Sequence, residues 1–281
     1  MTYGGLEVGY TRYEQSSIVI FPVPYDGTST WIKGADKGPE AILHASANME
    51  LYDIDTDSEV YRHGIHTLDP IVHKGSPEDL ADKVELRIDK LFKDDKFVVT
   101  IGGEHSISIG AFRSFTKNFN NISILQLDAH ADLRNEYEHS RYNHACVMSR
   151  ARELAPIAQI GIRSMSAEER EGMDDRTIFF AHRIKNNPEW KHEVSALVSE
   201  NVYITIDLDV LDPSVMPSTG TPEPDGLLYH EIMDLIRLVN KDHNIVGFDV
   251  VELCPGINKA PDFIAAKLIY QILSLKFKKE R

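Results

Sequence analysis

Asp128-Ala129-His130-Ala131-Asp132 places two carboxylates and an imidazole at alternate positions directly after the apolar run Ile122–Leu127. Such a run reads as a buried strand of a parallel sheet. If the backbone stays extended past Leu127, all three polar side chains point the same way, with small alanines packing behind them. One Asp or one His at a strand end often caps the next helix. Three in register beside an apolar strand read instead as half of a metal site. Asp207-Leu208-Asp209, after Val202–Ile206, repeats the pattern, and Gly102-Gly103-Glu104-His105 follows the run Phe97–Ile101. Each of these is common alone. All three sit at the same end of expected parallel strands, so they can converge.

Counted together, Asp128, Asp132, Asp207 and Asp209 bring four negative charges, and His105 and His130 two neutral nitrogens. Four unpaired carboxylates in one cleft repel one another, and two divalent cations would neutralise them. An oxygen-rich set with imidazole and no thiolate suits Mn²⁺ ahead of Zn²⁺, Co²⁺ or Fe²⁺. Carboxylates that bridge two such ions hold them about 3.5–4 Å apart, and a water between them ionises near neutral pH.

The three motifs, in this order, resemble those of the ureohydrolases, the arginase and agmatinase family. Thr205-Ile206-Asp207-Leu208-Asp209-Val210-Leu211-Asp212-Pro213, continuing through Pro217-Ser218 to Gly226, is similar to the long third family signature, with Thr205 where Ser is usual. The resemblance runs from about Phe21 to Pro255. It implies that His105, Asp128, Asp132 and Asp207 hold one manganese and that Asp128, His130, Asp207 and Asp209 hold the other. Asp128 and Asp207 would bridge, and Asp132 would also orient the hydroxide between the ions. Glu252 matches the family glutamate that pairs with the substrate guanidinium, a planar cation that a carboxylate can meet through two parallel hydrogen bonds. His144 matches the histidine that shuttles a proton to the leaving amine. Gly commonly follows that histidine, whereas this chain has Ala145, and His139 is a nearby competitor. Asn143, next to His144, is read as substrate-binding.

The implied reaction is metal-assisted hydrolysis. The bridging hydroxide attacks the guanidinium carbon, and the tetrahedral intermediate collapses to urea and a primary amine, protonated through Asp132 and His144. Specificity is expected from Leu133–Asn143 and Tyr25–Gly34, since loops at this end of a sheet wall the cleft. The Asp-Leu-Arg start of the first loop, its spacing to His144, and Gly161-Ile162-Arg163-Ser164 resemble agmatinases, so agmatine, yielding putrescine, is the expected substrate. Glu136 or Glu138 would attract that dication. Arg134 and Arg141 would suit a carboxylate, which keeps arginine and guanidinobutyrate open. An arginase-fold deacetylase generally uses one metal, and the full ligand set favours two. A non-catalytic binding protein is disfavoured because no ligand position is lost.

The elements that must position these residues follow from periodicity. Ser17–Phe21, Phe97–Ile101, Ile122–Leu127, Ile157–Ile162, Val202–Ile206 and Ile245–Val250 read as buried strands. Between them, helices are expected from Pro39, over Ser76–Phe92 with a Ser cap and Pro at its first position, and over His144–Leu154. Further helices are expected from the capping box at Ser166–Glu169, over Pro188–Ser199, Leu227–Val239 and Ala260–Leu275. Alternation of strand and helix predicts one α/β domain over residues 1–281, a three-layer α/β/α arrangement with a mainly parallel sheet. The 281 residues are 42% hydrophobic with a formal net charge of −14, which argues against nucleic acid or an anionic membrane as partner. No apolar run approaches a membrane span and no signal peptide is seen. Cys146 and Cys254 form no CxxC, so a cytoplasmic location is expected. The family resemblance implies a homo-oligomer, trimer or hexamer. The cysteines lie near His144 and Glu252, so thiol modification is a possible route to inhibition.

Overall fold

Runs of Val, Ile, Leu and Phe set the strands, and capping residues set where the helices begin. The computed structural model describes residues 1–278. Its strands are β1 (Ile18–Val23), β2 (Ile65–Thr67), β3 (Phe97–Gly102), β4 (Ile122–Leu127), β5 (Ile157–Ile162), β6 (Ile178–Phe180), β7 (Asn201–Asp207) and β8 (Asn244–Val251). They pair in parallel throughout, in the order β2-β1-β3-β8-β7-β4-β5-β6. The helices are α1 (Gly38–Ser46), α2 (Pro77–Lys93), α3 (Ser108–Asn118), α4 (Val147–Ala151), α5 (Ala167–Glu171), α6 (Ala181–Ile184), α7 (Trp190–Leu197), α8 (Tyr229–Asp242) and α9 (Ala260–Lys276).

Both faces of the sheet are covered, as a parallel sheet requires. Side chains alternate along each strand. Ile18 and Ile20 join the core under α1, α8 and α9, while Val19 and Phe21 join the core under α2, α3 and α4. The expected starts of α2 and α5 are observed: the Ser76 hydroxyl accepts from Asp79 N–H, and Ser166 and Glu169 form the reciprocal capping box.

Several expectations change. The edge strands β2 and β6 were not foreseen, because three residues carry almost no periodic signal. Helix α3 was missed as well. Gly110 weakens its helical pattern, and the residue is there for packing, since a Cβ at Gly110 would lie 2.3 Å from the Ala81 carbonyl oxygen of α2. The helix expected over His144–Leu154 is instead a 3₁₀ turn, His144–Cys146, followed by the short α4.

The four central strands matter most for chemistry. β3, β8, β7 and β4 are neighbours, and in a parallel sheet their C-terminal ends share one edge. Every proposed ligand leaves from one of those four ends. Among the described residues, no helix is long and apolar enough to cross a membrane.

Candidate active site

The central motif does not run on as an extended strand. Pairing of β4 ends at Leu127, the chain bends at Ala129, and Asp132 adopts φ 52°. The Ala129 carbonyl accepts from Arg163 and Ser164 N–H, and the Asp132 carbonyl from Met148 and Ser149 N–H, so neighbouring segments fix the bend. Asp visits the left-handed region more readily than most residues because its short polar side chain bonds locally. Convergence therefore comes from the bend, and extended alternation is not its cause.

His105 enters from the turn after β3. Gly103 in that turn is required, because a Cβ there would sit 1.9 Å from the Tyr25 carbonyl oxygen. His105 Nδ1 lies 3.2 Å from Asp128 Oδ2, 3.2 Å from Asp132 Oδ2 and 3.5 Å from Asp207 Oδ2. It is buried and makes no hydrogen bond. The opposite nitrogen, Nε2, lies 2.9 Å from Thr205 Oγ1, which itself lies 2.6 Å from Asp249 Oδ1. A carboxylate only accepts, so the Thr205 hydrogen goes to Asp249 and His105 Nε2–H donates to Thr205. In the neutral ring Nδ1 then carries the lone pair, facing three carboxylate oxygens. Such a spot suits a cation. The residues fit a metal on this observation.

A second group overlaps the first. His130 Nδ1 lies 2.9 Å from Asp209 Oδ2 and 3.7 Å from Asp128 Oδ1. His105, Asp128 and Asp132 form one set, and Asp128, His130 and Asp209 another, with the candidate ligand atoms of each within 4.8 Å of one another. Asp128 stands in both. Its carboxylate is fixed by Gln126 Nε2 at 2.7 Å and His130 N–H at 2.6 Å, while Asp207 accepts from Asp209 N–H at 2.9 Å. Burial, then the charge of Asp128, pushes the Asp132 carboxyl up to about 7. Burial, then Asp209 and Asp128, drives Asp207 well above the carboxylate range. These are the shifts expected of carboxylates crowded together without a counter-ion.

Glu252 follows β8, is 8% exposed and has φ 65°. Its Oε1 accepts from His105 N–H at 2.8 Å. Burial, reinforced first by Glu104, raises its carboxyl well above the usual range. Burial excludes a surface role, and one carboxylate oxygen also caps the first N–H of the turn His105–Ile107 that leads into α3. His144 lines the same cavity of about 250 Å³ as His105, Asp132, Asp207 and Glu252. Burial, reinforced by His130 and His105, holds its imidazole down at about 4. His139 is exposed on the turn between Tyr137 and Ser140, outside this lining. Asn143 is buried, and its side-chain oxygen accepts from Ala145 N–H, capping the turn that carries His144. It lines the adjoining cavity with Tyr25 and Thr28.

Of the four loop charges weighed for specificity, only Arg134 lines the cleft, stacked 4.6 Å above the Tyr137 ring. Arg141 pairs with Glu153 at 3.1 Å, Glu136 is exposed, and Glu138 lines the adjoining cavity. Sequence reasoning gave no supporting role to Thr205 and Asp249 behind His105, or to Thr28 beside His144. It used Arg163 only as part of a resembling stretch and gave no role to its guanidinium, which reaches the carbonyls of Gly161, Asp209, Val210, Leu211, Glu223 and Pro224. Polar residues inside apolar strands or loops give no periodic signal. Burial pushes both Cys146 and Cys254 up to about 12, so neither thiol ionises near neutral pH.

An all-parallel sheet carrying two overlapping carboxylate–imidazole groups on its central strand ends defines an α/β protein with a candidate metal centre. The Arginase family model matches residues 16–274, and the chain belongs to that family. It is 36% identical over 275 residues to the N(1)-aminopropylagmatine ureohydrolase of Synechocystis sp., covering 94% of this chain and 90% of that protein. It is 32% identical to the agmatinase of Halalkalibacterium halodurans, covering 94% of this chain and 93% of that protein. The solved agmatine ureohydrolase of Thermoplasma volcanium superposes with a TM-score of 0.88 at 34% identity, covering 95% and 92% of the two chains. The protein is thus an enzyme of the ureohydrolase type, in a family that depends on a binuclear metal centre and is typically oligomeric, and its named relatives are hydrolases acting on guanidino or amidino groups.

Proposed function

We propose that the protein hydrolyses the guanidinium of agmatine to urea and putrescine, with two Mn²⁺ ions per subunit. The observation that carries this reading is Asp128, which stands in both carboxylate–imidazole groups, as a bridge between two ions must. His105, Asp128, Asp132 and Asp207 would hold one ion, and Asp128, His130, Asp207 and Asp209 the other. When bound, the pair supplies Lewis acidity and water that ionises near neutral pH. The protein's own residues do the rest. Glu252, steadied by His105 N–H, offers its remaining lone pairs to the guanidinium N–H groups and holds the carbon over the ligand cluster. Asp132 and His144 carry the proton that the departing amine nitrogen needs, and Asn143 acts on the substrate through the turn it caps. The subunit is read as one domain, cytoplasmic, in a trimer or hexamer.

N(1)-aminopropylagmatine is a second reading. It is favoured by four relatives of that name at 35–36% identity, beside 34% for the Thermoplasma volcanium agmatine ureohydrolase and 28–32% for three relatives named agmatinase. The test is urea release by Mn²⁺-loaded protein from agmatine, N(1)-aminopropylagmatine, arginine and 4-guanidinobutyrate in parallel. Preference for agmatine supports the proposal, and preference for its aminopropyl derivative moves the substrate to the second reading. Preference for either of the others overturns the substrate, and no urea from any of them overturns the reaction. Metal counts after loading with Mn²⁺ or Zn²⁺, paired with rates, decide the ion.

A further inference from the structure

Thr28, in the loop after β1, brings three groups to one oxygen. Its Oγ1 lies 2.8 Å from Glu104 Oε2, 3.1 Å from His144 Nδ1 and 3.0 Å from the His144 backbone nitrogen. A hydroxyl has one hydrogen and two lone pairs, and here all three are engaged. Glu104 is fully buried and also accepts from Ser106 N–H at 3.2 Å and Ser106 O–H at 2.7 Å. A carboxylate cannot donate, so the Thr28 hydrogen points to Glu104. The two lone pairs of Thr28 then receive the His144 backbone N–H and the His144 Nδ1–H. In the neutral ring this leaves Nε2, the nitrogen Thr28 does not hold, as the acceptor on a residue that lines the cleft.

We infer that Glu104 and Thr28 are positioning residues that lock His144 in its Nδ1–H tautomer and present Nε2 to the cleft as a proton acceptor. The inference deepens the proposed reaction and rests on the role given there to His144. Nε2 takes a proton given up as water adds to the guanidinium carbon: an O–H bond breaks and an N–H bond forms. The same proton passes to the amine nitrogen as the C–N bond breaks, its electron pair leaving with nitrogen. The protonated urea left behind gives its O–H proton to solvent, from which the free amine takes one up. His144 ends neutral, in the tautomer it began with. A ring locked the other way, with Nε2–H, could give a proton but could not first collect one.

The test reads the tautomer and the kinetics separately. Protein labelled with [¹⁵N]histidine is loaded with diamagnetic Zn²⁺, and His144 is assigned by difference from His144→Asn. The ¹⁵N shifts should show protonated Nδ1 and unprotonated Nε2 in the wild type. Thr28→Val, which keeps the shape and removes the hydroxyl, should shift His144 toward the Nε2–H form. In the Mn²⁺-loaded enzyme it should lower kcat about tenfold or more while KM stays within about threefold. Thr28→Ser should restore both readouts. A wild-type Nε2–H tautomer overturns the inference, as does a Thr28→Val protein with unchanged kcat and tautomer. If Thr28→Val does not fold, Thr28→Ala and the wild-type spectrum decide. Absence of urea release by the wild type would sink the reaction instead, and the spectrum would still judge the hydrogen-bond chain.

Discussion

His105 is held from behind as firmly as it is exposed in front. Thr205 and Asp249 fix its ring orientation, and Tyr203 O–H donates to the other Asp249 oxygen at 2.7 Å. Partners of this kind behind a metal ligand are worth about 10–100-fold in metal affinity. Thr205→Val should therefore weaken the ion at His105 by about tenfold or more, read by equilibrium dialysis against Mn²⁺, while Thr205→Ser leaves it within about threefold. Equal affinities in all three proteins would mean that the chain behind His105 is mere packing. The ligands themselves were legible in the sequence, because carboxylates and imidazoles after apolar strands break the expected pattern visibly. Their supports were not. Thr28 is 76 residues from Glu104 and 116 from His144, and only the folded chain brings them together. Asp249 sits inside β8 and reads there as one interruption of an apolar run.

The strand ends carry the site, but the segments beyond them need ties of their own. Arg163, just past β5, supplies the main one by gathering carbonyls from the 209–211 turn and from Glu223 and Pro224. Its planar fork has no equivalent in lysine. Arg163→Ala should loosen the Asp209 turn and weaken the ion held with His130 by about tenfold, and Arg163→Lys should not rescue it. Titration with Mn²⁺ at limiting free metal should then give one ion per chain where the wild type gives two. Two tight ions in Arg163→Ala would show that the turn holds its shape alone. Six of the strands were readable from hydrophobic runs, and the capped starts of α2 and α5 from residue identity. The bend after β4 was not. An extended run and a run that bends at Ala129 have the same composition, and the bonds that decide between them come from Arg163, Ser164, Met148 and Ser149.

At the scale of the molecule, the ordinary two-sided core of this fold surrounds an unusual load, four aspartates of which none is more than 7% exposed. Holding them without counter-ions opposes folding, and ions that bind only the folded form favour it. Chelation with EDTA should therefore lower the melting temperature, and Mn²⁺ should restore it, with a gain of about 2.7 kcal/mol at a free concentration one hundred times Kd. A melting temperature indifferent to both would be incompatible with a metal centre in this cleft. The order of strands was out of reach of the sequence, since parallel runs of similar composition do not announce their neighbours. That order has a consequence for how the chain is made. β3 and β4 are complete by Leu127, yet the two strands that fill the gap between them, β7 and β8, span Asn201 to Val251. During synthesis, at about 5–20 residues per second, β3 and β4 each wait with an open edge able to pair with the wrong chain. The contacts that close the sheet are long-range ones, the slow kind to form. The ligand cluster is finished only when they do, so a nascent or interrupted chain is at its most vulnerable to aggregation before it has any site for an ion to rescue.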